Sequence, residues 1–94
     1  MKTIYKYNLQ VTDVQQIILP KGAKILCVQT QRNNLAMWAE VDTDEITETE
    51  SVIIGMFGTG HPIPQQMEYN RHYISTFQIE NGALVFHVYK RMDV

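Results

Sequence analysis

Within residues 57–64, FGTGHPIP, two glycines flank a threonine, a histidine follows at once and two prolines close the segment. Gly58 and Gly60 can take backbone angles closed to other residues, so that successive N–H groups converge on an anion as a nest. Thr59 adds a hydroxyl, and His61 adds a ring nitrogen that donates or accepts near neutral pH. The chemistry implied is a small cradle for a phosphate or carboxylate, with Pro62 stiffening its exit. The same residues also suit a tight turn after a strand, with His61 capping backbone carbonyls, and the sequence leaves both readings open. The segment is not a P-loop, because no Lys-Ser/Thr pair follows the glycines. It is not a dinucleotide fingerprint either, because the third glycine and the following helix are missing.

Other residues with chemical potential are scattered. Nucleophilic catalysis needs a Ser, Cys or Thr beside a His and an orienting carboxylate, and no spacing here groups them. His61, His72 and His87 can meet only through the fold, and together with Cys27 they would make an unusual zinc set without a paired motif. The expectation is a non-enzymatic chain with no metal site and no cofactor. Hydrolase or phosphodiesterase chemistry is the alternative should two histidines meet beside a carboxylate. His72, preceded by Arg71, suits surface binding, and Arg71 can supply charge to an anion. Trp38 reads as core or as a stacking platform, and Tyr73 offers a second aromatic face for a base. His87, between Phe86 and Val88, reads as an edge or partly buried strand histidine, and Cys27 in AKILCVQ as a small buried hydrophobe. The segment DTDEITETE, 42–50, holds five of the ten acidic residues. It reads as a solvated loop or a charged strand edge, because it lacks the glycine and Asx spacing of a calcium loop.

The elements that must position these groups follow a period of two. In TIYKYNL, Tyr5, Tyr7 and Leu9 alternate with Ile4, Lys6 and Asn8. VQQIIL is a second run, closed by the turn residues Pro20 and Gly22. AKILCVQTQ places Leu26, Val28 and Thr30 on one face and Ile25, Cys27, Gln29 and Gln31 on the other. RNN at 32–34 turns it into LAMWAEV, where Leu35, Met37, Ala39 and Val41 share a face opposite Ala36, Trp38 and Glu40. SVIIGMF reads as a buried run, and the polar connection 65–70 has room for a short helix. Near the C-terminus, Tyr73, Ser75, Phe77 and Ile79 lead to ENG, whose Asn81-Gly82 supplies the positive φ of a hairpin turn. The return strand is apolar on both faces, so it is central in the fold or half covered by a second subunit. Six to seven short strands with little helix predict an all-β fold, an antiparallel β-sandwich or a small open barrel.

A chain of 94 residues has room for one domain, 1–94, around one core. A net charge of −2 and scattered basic residues argue against general nucleic-acid binding. No stretch has the length of a membrane span or the pattern of a signal peptide, so no membrane partner is expected. The single cysteine forms no intramolecular disulfide, which fits a reducing cytoplasm.

The set KY.L.VTD, LP.GAKIL.VQ.Q, WA.VD, GTGHPIP, YI.TFQ and GALVFHVY resembles a family of small proteins carried mainly by bacteriophages, over about Lys2 to Tyr89. The resemblance implies a phage product made in the cytoplasm of an infected bacterial cell, with Gly58 to Pro62 acting as a unit. By analogy with that setting, the expected function is a binding protein that interferes with host defence by sequestering a nucleotide-like signalling molecule at a homo-oligomer interface. Gly58, Thr59, Gly60, His61 and Pro62 would hold phosphate, Trp38 or Tyr73 would stack on a base, and Arg71 would supply charge. The alternative is a protein–protein inhibitor or adaptor. It would mask a host protein such as a nuclease, or a phage protein, through a sheet edge or the acidic 42–50 segment.

Overall fold

Seven strands build two antiparallel sheets in the computed structural model, which describes residues 1–45, 48–68 and 70–92. The strands are β1 Lys2–Asn8, β2 Val14–Pro20, β3 Lys24–Gln31, β4 Asn34–Asp42, β5 Thr49–Gly58, β6 Arg71–Ile79 and β7 Leu84–Arg91. One sheet has the order β1-β4-β3 and the other β2-β5-β7-β6. Their inner faces share one core cluster that includes Leu35 and Met37 from the first sheet and Ile54, Met56, Phe77 and Val88 from the second. This is the expected all-β sandwich. Phe77, Met37, Ile54 and Met56 are almost fully enclosed, and burying a side chain of this size stabilises the fold by about 1.5–3 kcal/mol.

The sheets adjoin along β3 and β6. Val28 N donates to Ser75 Oγ across that seam at 3.0 Å, which satisfies the buried Ser75 hydroxyl. The outer edges of β1 and β2 have no strand partner among the described residues. The last hairpin pairs as the sequence predicts, with Phe77 opposite Phe86 and Thr76 opposite His87. Its loop is longer than a two-residue turn: Glu80, Asn81 and Gly82 all take positive φ, and Ala83 returns to the right-handed region.

β7 is central between β5 and β6; Val88 and Phe86 on one face meet the core, and Tyr89 on the other packs against Phe57 and Arg71. Because β5 and β6 both pair antiparallel with β7, they run parallel to each other. The 59–70 connection is therefore a crossover that spans β7. A single-turn 3-10 helix, Gln65–Met67, lies on this strap, the short helix for which the 65–70 connection has room. Met67 is fully buried over Gly55, where an added Cβ would lie 2.5 Å from Met67 Cγ. Glycine at 55 is what lets the strap sit directly on the sheet.

Two face assignments are corrected. In β6, a bulge between Tyr73 and Ser75 sets Tyr73, opposite Tyr89, on the outer face with Thr76 rather than on the core face with Ser75 and Phe77. A bulge between Ile25 and Cys27 shifts the register of β3, so Ile25 and Val28 share the core side while Leu26 is 40% exposed. Strict alternation misplaces Leu26 because the extra residue of a bulge breaks the period. Cys27 is only partly buried, opposite Trp38. In the acidic segment, Thr43–Glu45 form a 3-10 turn and β5 starts at Thr49. The expectation for Ile46 and Thr47 lies outside the described residues.

Candidate functional site

Where β5 ends, the chain turns back on itself. His61 N donates to Gly58 O at 3.0 Å, closing a four-residue turn whose third position, Gly60, has φ +82°. A positive φ at that position belongs to a type II turn, which favours glycine there. Thr59 N donates to Val85 O on β7 at 3.1 Å. These two N–H groups therefore close the turn and tie it to β7 rather than point outward as a nest. Gly58 lies under the His61 ring, with its would-be Cβ 3.0 Å from Nδ1. Pro62 and His61 are exposed, and a small hollow of ≈ 200 Å³ opens between Thr59, His61, Leu84 and Phe86.

The side chains of this region make a row that the sequence does not display. Thr59 Oγ1 lies 2.7 Å from His87 Nε2, His87 Nδ1 lies 3.1 Å from Thr76 Oγ1, and Thr76 Oγ1 lies 2.7 Å from Tyr73 OH. The row crosses β7 and β6 on the outer face of the four-stranded sheet. In a neutral imidazole one ring nitrogen donates and the other accepts, so two hydroxyls satisfy His87 completely. A hydroxyl, not a carboxylate, orients the ring behind the Thr59–His87 contact. That geometry lacks the negative charge that stabilises an imidazolium in a nucleophilic triad.

Aromatic groups border the row. Tyr89 stacks on Phe57 at 5.2 Å between centroids and meets Tyr73 edge-on at 5.4 Å. Arg71 closes this side: its guanidinium lies 5.1 Å above the Tyr89 ring, and Nη1 donates to Met67 O at 3.0 Å and Glu68 O at 2.8 Å. Arg71 therefore fastens the strap to the sheet, and its charge is spent on backbone carbonyls and a ring face. Tyr73 remains 50% exposed.

Trp38 is not part of this constellation. It lies on β4, paired with Lys6 and Cys27, on the side of its sheet opposite the core residues Met37 and Ala39. Trp38 and the Thr59–His87 row thus occupy opposite outer faces of the sandwich. A ligand held by the loop cannot also stack on Trp38.

A hollow of ≈ 650 Å³ lies among the β3–β4 and β6–β7 turns, with Glu80 the one ionisable residue among the described ones that line it. None of the candidate residues lines it. Among the described residues no three His, Cys, Asp or Glu side chains are grouped to hold a metal ion. No helix there is long and apolar enough to cross a membrane. Much of the acidic segment is matched internally. The N-terminal amine contacts Asp42 at 3.2 Å and also Asp44, Lys21 pairs with Glu48 at 3.2 Å, and Glu50 accepts from Gly22 N at 3.4 Å. Hydrogen bonding from Asp44 N, then the N-terminal amine, holds the Asp42 carboxyl below its ordinary value.

Thr76 and His87 are the members that sequence reasoning missed. Their pairing was nevertheless legible, because counting back equally along both strands from Asn81-Gly82 sets Thr76 opposite His87. The third member, Thr59, joins through the β5–β7 pairing of Phe57 with His87, which no local signal announces.

No curated protein and no solved structure matches the chain. A family model described as "Domain of unknown function (DUF7352)" matches residues 1–94, and the chain, over its whole length, belongs to that family.

Proposed function

We propose that this chain is a non-enzymatic binding protein that engages its target through the outer face of the four-stranded sheet, around Thr59, His87, Thr76 and Tyr73. The observation that carries the reading is the hydrogen-bonded row itself. It presents hydroxyls and an imidazole beside a half-exposed tyrosine, on a surface stiffened by the strap, and it has no charged group behind His87 to drive turnover. Polar groups held in fixed positions beside aromatic area are what orient a ligand. The phage setting implied by the sequence resemblance supports a role against host defence, with a nucleotide-like signalling molecule as the ligand sequestered. In that role His61 and the Thr59 hydroxyl face the ligand, Tyr73 supplies the stacking surface, and Gly58, Gly60 and Pro62 shape the turn.

Native mass spectrometry on protein recovered gently from bacterial cells tests this. A nucleotide-sized adduct on the wild-type chain, lost on His87→Ala, is the expected result. An adduct that persists unchanged in the folded variant would count against it.

The second reading, masking of a protein partner, draws on the unpaired edges of β1 and β2, where Ile4 and Ile18 are each 56% exposed. Such edges accept a strand from another chain, including a second copy in a homo-oligomer. The internal matching of the acidic segment shifts this reading from charge mimicry toward edge pairing.

A further inference from the structure

We propose that a second copy of this chain pairs with the free edge of β1, antiparallel and about a two-fold axis, so that two three-stranded sheets join into one of six strands. The proposal rests on the reading of edge pairing and deepens it by committing to one edge and one occupant; it does not draw on the Thr59–His87 row. An antiparallel strand is what the open N–H and C=O groups of a sheet edge accept. β1 offers seven residues in unbroken register with β4, from Lys2 opposite Asp42 to Asn8 opposite Ala36, and none of them is a proline. β2, the other edge, is the poorer template. It ends in Pro20, which has no N–H, and its own chain is tied to it, with Gln10 N donating to Gln15 Oε1 at 3.1 Å and Gln15 Nε2 to Gln10 O at 2.7 Å.

Lysines on an edge strand guard it against association, but those of β1 are drawn the other way. Lys6 Nζ donates to Gln31 Oε1 on β3 at 2.6 Å, so its side chain reaches over β4 and away from the free edge. Lys2 lies opposite Asp42, whose carboxyl is held low by Asp44 N–H first and by the N-terminal amine next, with Lys2 contributing. The amine itself contacts Asp42 and Asp44. The positive charge of β1 is thus directed toward its own chain, and the edge keeps Ile4 and Tyr5, 56% and 40% exposed.

The order of residues in β1 also selects a register. A two-fold axis between antiparallel copies keeps outer face with outer face, so one residue meets its own copy. With Tyr5 at the axis the whole strand pairs: Lys2 meets the partner's Asn8, Thr3 the partner's Tyr7 and Ile4 the partner's Lys6. No lysine then lies directly opposite a lysine. Tyr5 and Tyr7 stand on the core side, opposite the buried Ala39 and Met37 of β4. There the Tyr5 pair and the Thr3–Tyr7 pairs are aromatic and aromatic–β-branched contacts that favour a sheet. On the outer side Ile4 covers the aliphatic stem of lysine. Sliding the pairing by two residues either way sets Lys2 against Lys6, or Lys6 against itself, and like charges directly opposite are destabilising.

Sedimentation of the full chain at concentrations up to about 1 mM tests the pairing, with unfolding curves to confirm that each variant folds. The parent is expected to dimerise reversibly. Ile4→Lys, at an exposed position, puts lysine against the partner's Lys6 twice over and should weaken the dimer about tenfold or more. Adding Lys6→Glu sets opposite charges face to face and should recover most of that loss, because positions 4 and 6 face each other only in this register. Ile18→Lys on β2 should leave the dimer unchanged. A parent that stays monomeric throughout overturns the proposal, while leaving the masking of a foreign protein by an edge strand standing. A dimer indifferent to Ile4→Lys, or weakened by it and not recovered by Lys6→Glu, overturns the β1 pairing as well.

Discussion

Gly60 shows how much of the loop is structural. Its φ of +82° is set by the turn that the His61 N–H closes, and open space surrounds its Cα, so a methyl group there meets no neighbour and acts only through the backbone. Gly60→Ala is expected to cost about 1–2 kcal/mol of stability, measured by denaturant unfolding. Asp42 gives a second test at this scale. Its carboxyl is held below the ordinary value, first by Asp44 N–H and then by the N-terminal amine. A folded-state pKa below the unfolded one adds stability that is present above the unfolded value and is lost as pH falls through the folded one. Asp42→Asn should therefore be less stable than the parent at neutral pH, with the gap closing as acid takes the solution below the carboxylate range. An unfolding series against pH reads this directly.

The strap is the element that turns a plain sheet face into a shaped surface. Met67 anchors it over Gly55, and Arg71 ties its backbone to the Tyr89 ring. Met67→Ala removes a fully buried side chain and should cost about 2–5 kcal/mol, with amide exchange quickening along the strap and at Arg71. If exchange rises equally everywhere, the strap is not a separate unit of the fold. The sequence announced strands well and this strap poorly, for a physical reason. Tyr73 to Ile79 and the return strand carry a local signal, alternation plus Asn-Gly, and Ser75 to Ile79 pair as read, while a bulge before Ser75 turns Tyr73 to the other face. Met67 has no such signal, because its burial depends on a glycine in β5 and on a crossover that spans β7. Leu26 was misplaced for a related reason: a bulge changes the period without a residue type that marks it.

At the scale of the whole molecule, two sheets present two outer faces, and the residues singled out in the sequence divide between them. Gly58 to Pro62, Arg71 and Tyr73 are carried by β5, β6 and the strap, while Trp38 belongs to β4 on the other side. The fold class was legible because alternation and turn residues recur along the chain. The candidate site was only half legible, because Thr59, His87 and Thr76 come from three different stretches, and pairing of β5 with β7 is a long-range event.

The most direct test of the central claim is a capture experiment from bacterial extract with the wild-type chain beside folded Thr59→Ala and His87→Ala variants, each eluate analysed by mass spectrometry for small molecules and proteins. The account predicts a species retained by the wild type and reduced about tenfold or more in both variants. Equal retention by all three chains would contradict it and move the binding surface off this face.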